Sequence, residues 1–107
     1  MSNLDQQLEE QLSKLAGIEL SFYKDTDLLT MYYQGKEIAH FHRDPLELDI
    51  RIPKPFAKRH ALGEPHQSPK HPDRSKNSIW RSLPCNRPED VNQIVSLVEK
   101  LVVEEYS

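Results

Sequence analysis

The feature that most constrains this chain is its central alternation, Leu46-Glu47-Leu48-Asp49-Ile50-Arg51-Ile52, in which every second residue is apolar and every intervening one is charged. A period of two turns one side of an extended strand toward a core and the other side away from it, and a helix has no use for that pattern. Three segments upstream also read as strands. Ile18 to Tyr23 alternates Ile18, Leu20 and Phe22 against Glu19, Ser21 and Tyr23, Leu28 to Tyr33 is rich in β-formers, and Lys36 to His42 carries Ile38, Ala39 and Phe41. Asp25-Thr26-Asp27, Gln34-Gly35 and Arg43-Asp44-Pro45 supply turns between them. Four strands in series with short turns predict an antiparallel meander.

Helical patterning brackets the strands. Leu4, Leu8, Leu12 and Leu15 recur at helical spacing, Ser2 or Asn3 can cap the first turn, and Gly17 suits the left-handed position that ends the helix. At the other end Pro88 fits a first helical turn beside Glu89 and Asp90. Val91, Ile94, Val95, Val98, Leu101 and Val102 then form an apolar stripe running to about Tyr106. Between these, Pro53 and Pro55 end the fourth strand, Phe56 to Leu62 reads as a short helix closed by Gly63, and Ser78 to Leu83 reads as a fifth strand. Glu64 to Asn77 has no periodicity and three prolines, and is expected to be a long loop. The expected fold class is α+β: an N-terminal helix, a mainly antiparallel sheet of about five strands, a short helix and long loop, and a C-terminal helix packed on one sheet face. With 107 residues and no internal repeat, a single domain over 1–107 is expected.

Several function classes drop out at this level. One cysteine, Cys85, allows no internal disulfide and reads as a small buried hydrophobe, since nothing pairs it with a base. There is no apolar run of membrane-spanning length and no basic-then-apolar leader, so a cytoplasmic protein without a membrane is expected. No phosphate-binding glycine loop, nucleophile elbow or paired Cys-x-x-Cys motif is present. The net charge of −3 hides an asymmetry: Arg51 to Arg81 holds eight basic and two acidic residues, a balance of +6 against −9 for the rest. That segment, Lys54 included, could attract an anionic ligand, or it could be a proline-rich loop solvated by its charges.

Strand parity isolates the residues that carry chemistry. Leu46, Leu48, Ile50 and Ile52 take the core face, with Ala39 and Phe41 as partners, so His40 and His42 fall on the other face. The connection from Arg43 to Leu46 then sets His42 opposite Glu47 and His40 opposite Asp49, with Ile38 near Arg51. Opposed residues lie about 4.5–5.5 Å apart at Cβ, close enough to interact. A one-residue slip would bury the charges, which the patterning opposes. Two imidazoles on one face can ligate a divalent metal, with a carboxylate as ligand or as orienting acceptor. Beside a carboxylate, an imidazole can also serve as a general base. The plainer alternative is a polar face that only stabilises. His60, His66 and His71 lie downstream, and if the loop folds over the face some of them could join it. Trp80, Tyr32, Tyr33 and Phe41 could stack on a ligand or simply pack.

The stretches Glu37-Ile38-Ala39-His40-Phe41-His42, Leu48-Asp49-Ile50-Arg51-Ile52-Pro53 and Gly63-Glu64-Pro65-His66, with Trp80 ahead of a C-terminal amphipathic helix ending at Tyr106, resemble the small luciferase-domain family. The resemblance runs from about Ile18 to Tyr106. It implies a site built from His40, His42, Asp49, Arg51 and His66, and oxygenase-like chemistry on a small molecule. Arg43-Asp44-Pro45 stands where that family more usually has a glycine-rich turn, and Gln67 follows His66 where proline is common. Light emission is therefore not expected.

The leading functional expectation is a small-molecule or metal site on the open sheet face. In it His40, His42 and His66 are metal ligands or bases, Asp49 is a partner, Arg51 holds an anionic oxygen, and Trp80 and Lys54 lie at the ligand. The alternative is a non-catalytic module whose basic 51–81 segment docks an acidic partner or nucleic acid. The acidic total charge and the lack of a nucleic-acid motif count against nucleic acid. An accessory protein working as a dimer is a third option without a positive sequence sign.

Overall fold

The structure, a computed structural model, describes residues 3–26, 28–43, 46–63 and 79–106. It is an α+β arrangement: helix α1 (Leu4–Ser13), strands β1 (Ile18–Phe22), β2 (Leu29–Tyr33), β3 (Lys36–His42) and β4 (Glu47–Arg51), helix α2 (Lys54–Arg59), strand β5 (Trp80–Pro84) and helix α3 (Pro88–Leu101), followed by a π-helical turn over Val102–Tyr106. The strands form one sheet in the order β1-β2-β3-β4-β5, with every neighbouring pair antiparallel.

Local chemistry accounts for most boundaries. Asn3 Oδ1 accepts the Gln6 N–H at 2.9 Å and opens α1. After α1 the chain turns at Gly17, whose φ of +82° would strain any side chain. An added Cβ there would also lie only 2.5 Å from the Tyr33 ring, so glycine is required twice over. Gln34 and Gly35 both have positive φ, 49° and 83°, the backbone of a two-residue turn whose twist suits the β2–β3 hairpin. Pro53 and Pro55 do more than stop β4. Pro53 is the residue flanking α2 and Pro55 lies in its first turn, so the helix covers Lys54–Arg59 rather than starting at Phe56. Strand β5 runs through Pro84, which the outermost strand tolerates because its outward positions need no N–H. Asp90 accepts the Asn86 and Arg87 backbone N–H groups at 2.9 and 3.1 Å, closing the entry to α3. These bonds, Asn86's first, hold its carboxyl below the usual range.

One face of the sheet carries the rows Leu20–Met31–Ala39–Ile50 and Phe41–Leu48–Leu83. They pack into a single core with Leu8 and Leu12 of α1, Phe56 of α2, and Val91, Ile94, Val98 and Leu101 of α3. Each such side chain contributes about 1.5–3 kcal/mol on burial. Cys85 joins this core, and burial pushes its thiol above the ordinary value, which marks a structural cysteine. No helix of the described residues is long and apolar enough to cross a membrane. The expected loop from Glu64 to Asn77, with His66 and His71, lies outside the described residues.

Candidate functional site on the polar sheet face

The register of β3 against β4 is the one parity requires: His40 opposes Asp49 and His42 opposes Glu47. The row through His40 extends in both directions, to Thr30 on β2 and to Ser82 on β5. Thr30, His40, Asp49 and Ser82 therefore cross four adjacent strands on the face opposite the helices.

This face is not the open, solvated surface the alternation suggests. Thr30 is 0%, Glu47 1%, Asp49 2% and Ser82 3% exposed. Alternation reports which side of a strand is polar, but it carries no information about whether that side is covered. Carboxylates at this depth need compensation, since an isolated buried charge is strongly unfavourable. One contact of that kind is diagonal, with His42 Nε2 3.9 Å from Asp49 Oδ2.

A second departure from simple parity brings in Glu37. Met31 pairs with Ala39 but Tyr32 pairs with Glu37, leaving Ile38 as an extra residue, a β-bulge in β3. Regular alternation would place Glu37 and His40 on opposite faces. Because Tyr32 and Thr30 share a face, the bulge moves Glu37 to His40's side, and its Oε1 lies 3.2 Å from His40 Nε2. Distance alone allows an ion pair when the imidazole is protonated. The two groups do not align as a hydrogen bond, and His40 Nε2 is a buried nitrogen without a hydrogen-bond partner. Ser82 Oγ is also buried and unbonded. Two orphaned polar atoms thus flank Asp49 in one row.

Aromatic rings surround His40. Trp80, on β5, reaches across β4 and stacks on the imidazole with centroids 5.1 Å apart and planes 14° apart. Tyr23 meets the same imidazole edge-on at 6.2 Å. The Arg51 guanidinium carbon lies 5.7 Å from the centre of the Trp80 ring, a cation–π arrangement. The backbone carbonyl of Arg51 accepts the Tyr106 hydroxyl at 2.7 Å, so the end of the chain fixes the end of β4.

Of the residues expected from sequence, His40, His42, Asp49, Arg51 and Trp80 come together on this face, while His66 lies outside the described residues. Lys54 is exposed at the start of α2, past the end of β4. His60 does not converge with the pair. It packs against Phe56 with ring centres 4.3 Å apart and planes tilted by 40°, and bonds Glu104 at 2.9 Å, joining α2 to the C-terminal turn. Tyr33 and Phe41 are core residues rather than ligand platforms. Among the described residues no group of three or more His, Cys, Asp or Glu side chains could hold a metal. Because a bound transition metal usually takes at least three protein ligands, a metal on this face would need a further donor such as His66. Sequence parity missed Glu37, Tyr23, Thr30 and Ser82. Thr30 and Ser82 follow from the register once the strands are paired, whereas nothing in the residue pattern announces the bulge that delivers Glu37.

Two shallow clefts lie elsewhere, along α3. One of about 260 Å³ is lined by Leu83, Pro84, Ile94 and Leu97, and one of about 480 Å³ by His60, Leu62, Leu97 and Lys100. Neither cleft contains a buried polar atom without a hydrogen-bond partner, and the histidine row contains two. Ligand sites combine a concave surface with a few convergent polar groups, and it is the polar groups that the histidine row supplies. The chain matches no family model, no curated protein and no solved structure, so the likeness to the luciferase-domain family rests on its residues alone.

Proposed function

We propose that the polar sheet face is a small-molecule site, with His40 as the group that exchanges a proton with the ligand. The observation that carries this reading is the pair of buried, unbonded atoms, His40 Nε2 and Ser82 Oγ, on either side of Asp49. A buried polar atom left unmet costs about 1–3 kcal/mol, so each of these two calls for a partner, and a ligand or a bound water would supply one. In the proposed site His40 acts as general base or acid, Glu37 stands 3.2 Å from the imidazole, and Ser82 offers a hydroxyl to the ligand. Arg51, fixed against Trp80, is the group suited to an anionic oxygen. Oxygenase-like chemistry is the family expectation and belongs to this proposal. A role for His40, His42 and His66 as ligands of a divalent metal belongs to it as well.

A ligand-observed NMR screen of polar fragments tests the site. Binders of the wild-type protein are expected to be lost in both His40→Ala and Ser82→Ala, each checked for folding by its amide spectrum. Binders that persist in both variants would sink the reading. Elemental analysis of the purified protein addresses the metal: a stoichiometric ion that disappears in His40→Ala/His42→Ala supports ligation, and an ion retained by that variant contradicts it.

The alternative reading keeps the basic 51–81 segment as a docking surface for an acidic partner or nucleic acid. Among its described cations, Arg59 pairs with Glu104 at 2.9 Å and Arg81 donates to the Gly63 carbonyl at 3.1 Å, while Lys54 and Lys58 are exposed.

A further inference from the structure

Among the described residues strand β1 is the outermost strand of the sheet at its N-terminal end, and the edge it turns away from β2 has a definite polarity. The Tyr23 N–H bonds the Leu28 carbonyl and the Gln34 N–H bonds the Gly17 carbonyl. In this register the hydrogen-bonded pairs therefore fall on the odd residues of β1, and the N–H and C=O groups of Ile18, Leu20 and Phe22 point away from β2. The Ile18 N–H confirms this, since it turns back to the Leu15 carbonyl. Leu20 and Phe22 thus present main-chain donors and acceptors along the edge.

Natural sheets guard such an edge with a very short strand, charged side chains, proline or a bulge. The five residues Ile18–Phe22 hold one charge, Glu19, and no lysine or proline, and β1 pairs with β2 without a register break. The opposite edge, β5, ends in Pro84. Phe22 is 60% exposed at the end of β1, one of the few large apolar side chains in that position.

We infer that β1 is a self-association edge, pairing antiparallel with β1 of a second copy about a two-fold axis at Leu20 to make a continuous ten-stranded sheet. The strand is self-complementary in this register. Leu20 meets Leu20, exposed Phe22 meets the partner's Ile18 on the helix-covered face, and Glu19 meets Ser21 on the other face. No like charges are opposed. The outward-pointing residues become the hydrogen-bonded pairs. The alternative centre at Ser21 would leave Glu19 facing Tyr23 and Ile18 facing Lys24, an apolar group against an ammonium. The contact is small, so a reversible dimer is expected rather than an obligate one.

Sedimentation equilibrium over a wide concentration range tests the association. The wild-type chain is expected to approach twice its 12.5 kDa mass. Phe22→Glu changes an exposed side chain, so it is expected to keep the fold, checked by circular dichroism, and to weaken the dimer about tenfold or more. A second measurement fixes the register without relying on that variant. Glu19 and Ser21 would form a non-hydrogen-bonded pair with Cα atoms about 4.5 Å apart, within disulfide range. Under mild oxidation a mixture of Glu19→Cys and Ser21→Cys proteins should give the mixed disulfide dimer, with neither variant linking to itself. A chain that remains monomeric at every concentration overturns the inference. Self-linking of Ser21→Cys alone, or a dimer indifferent to Phe22→Glu, overturns it equally.

Discussion

Ser82 separates binding from stability at the scale of a single atom. Its hydroxyl is buried and makes no hydrogen bond, so removing it takes nothing from the fold's own network. Ser82→Ala is expected to leave stability unchanged or raise it by about 1 kcal/mol, measured by urea denaturation, while removing ligand binding. A loss of 2 kcal/mol or more would show that the hydroxyl has a structural partner. Gly17 is the opposite case. Gly17→Ala combines a left-handed backbone with a methyl group 2.5 Å from Tyr33, and should cost about 2 kcal/mol or more in the same measurement. Asp49, 2% exposed with His42 at 3.9 Å, belongs to a buried charged network, and Asp49→Ala is expected to destabilise the protein by about 3 kcal/mol. Of the residue-scale facts, the assignment of His40 and His42 to the polar face was legible because parity admits no other arrangement. The register pairs His40 with Asp49 and His42 with Glu47, as opposed positions suggest. Two further approaches were not legible: His40 to Glu37, through a bulge, and His42 diagonally to Asp49.

At the scale of elements, the meander, its order and both long helices could be read from periodicity and turn chemistry, since each strand is short, alternating and closed by residues suited to a tight turn. Element ends were less legible. Prolines 53 and 55 read as strand breakers but serve as the opening of α2, and propensity does not distinguish those roles. The join between α2 and the C-terminal turn rests on Glu104, which accepts from Arg59 at 2.9 Å and from His60 at 2.9 Å. The His60 bond first, then Arg59, holds the Glu104 carboxyl below the usual glutamate range. A carboxylate whose folded pKa is depressed stabilises the fold above its unfolded value, and that contribution is lost as pH falls through the lowered folded value. Glu104→Gln should therefore lower the melting temperature at neutral pH and leave a flatter melting curve against pH on the acid side. An identical acid slope in both proteins would remove Glu104 from the account of acid stability.

For the molecule as a whole, the sheet divides two kinds of chemistry. Its helix-covered face is a continuous apolar core from Leu8 to Leu101, and its other face carries a polar row across four strands, with Thr30, Asp49 and Ser82 buried and His40 partly exposed. Two atoms of that row, His40 Nε2 and Ser82 Oγ, lack a hydrogen-bond partner, and aromatic contacts from Tyr23 and Trp80 hold the imidazole in place. Burial of this face could not be read from the alternation that revealed it, because a strand reports polarity by side and says nothing about cover. The most direct measurement of the central claim is a crystal structure of the protein soaked with a cocktail of polar fragments. The expected result is a fragment bonded to His40 Nε2 or Ser82 Oγ, beside Asp49. Fragments confined to the grooves along α3, with those two atoms satisfied by protein groups instead, would contradict it.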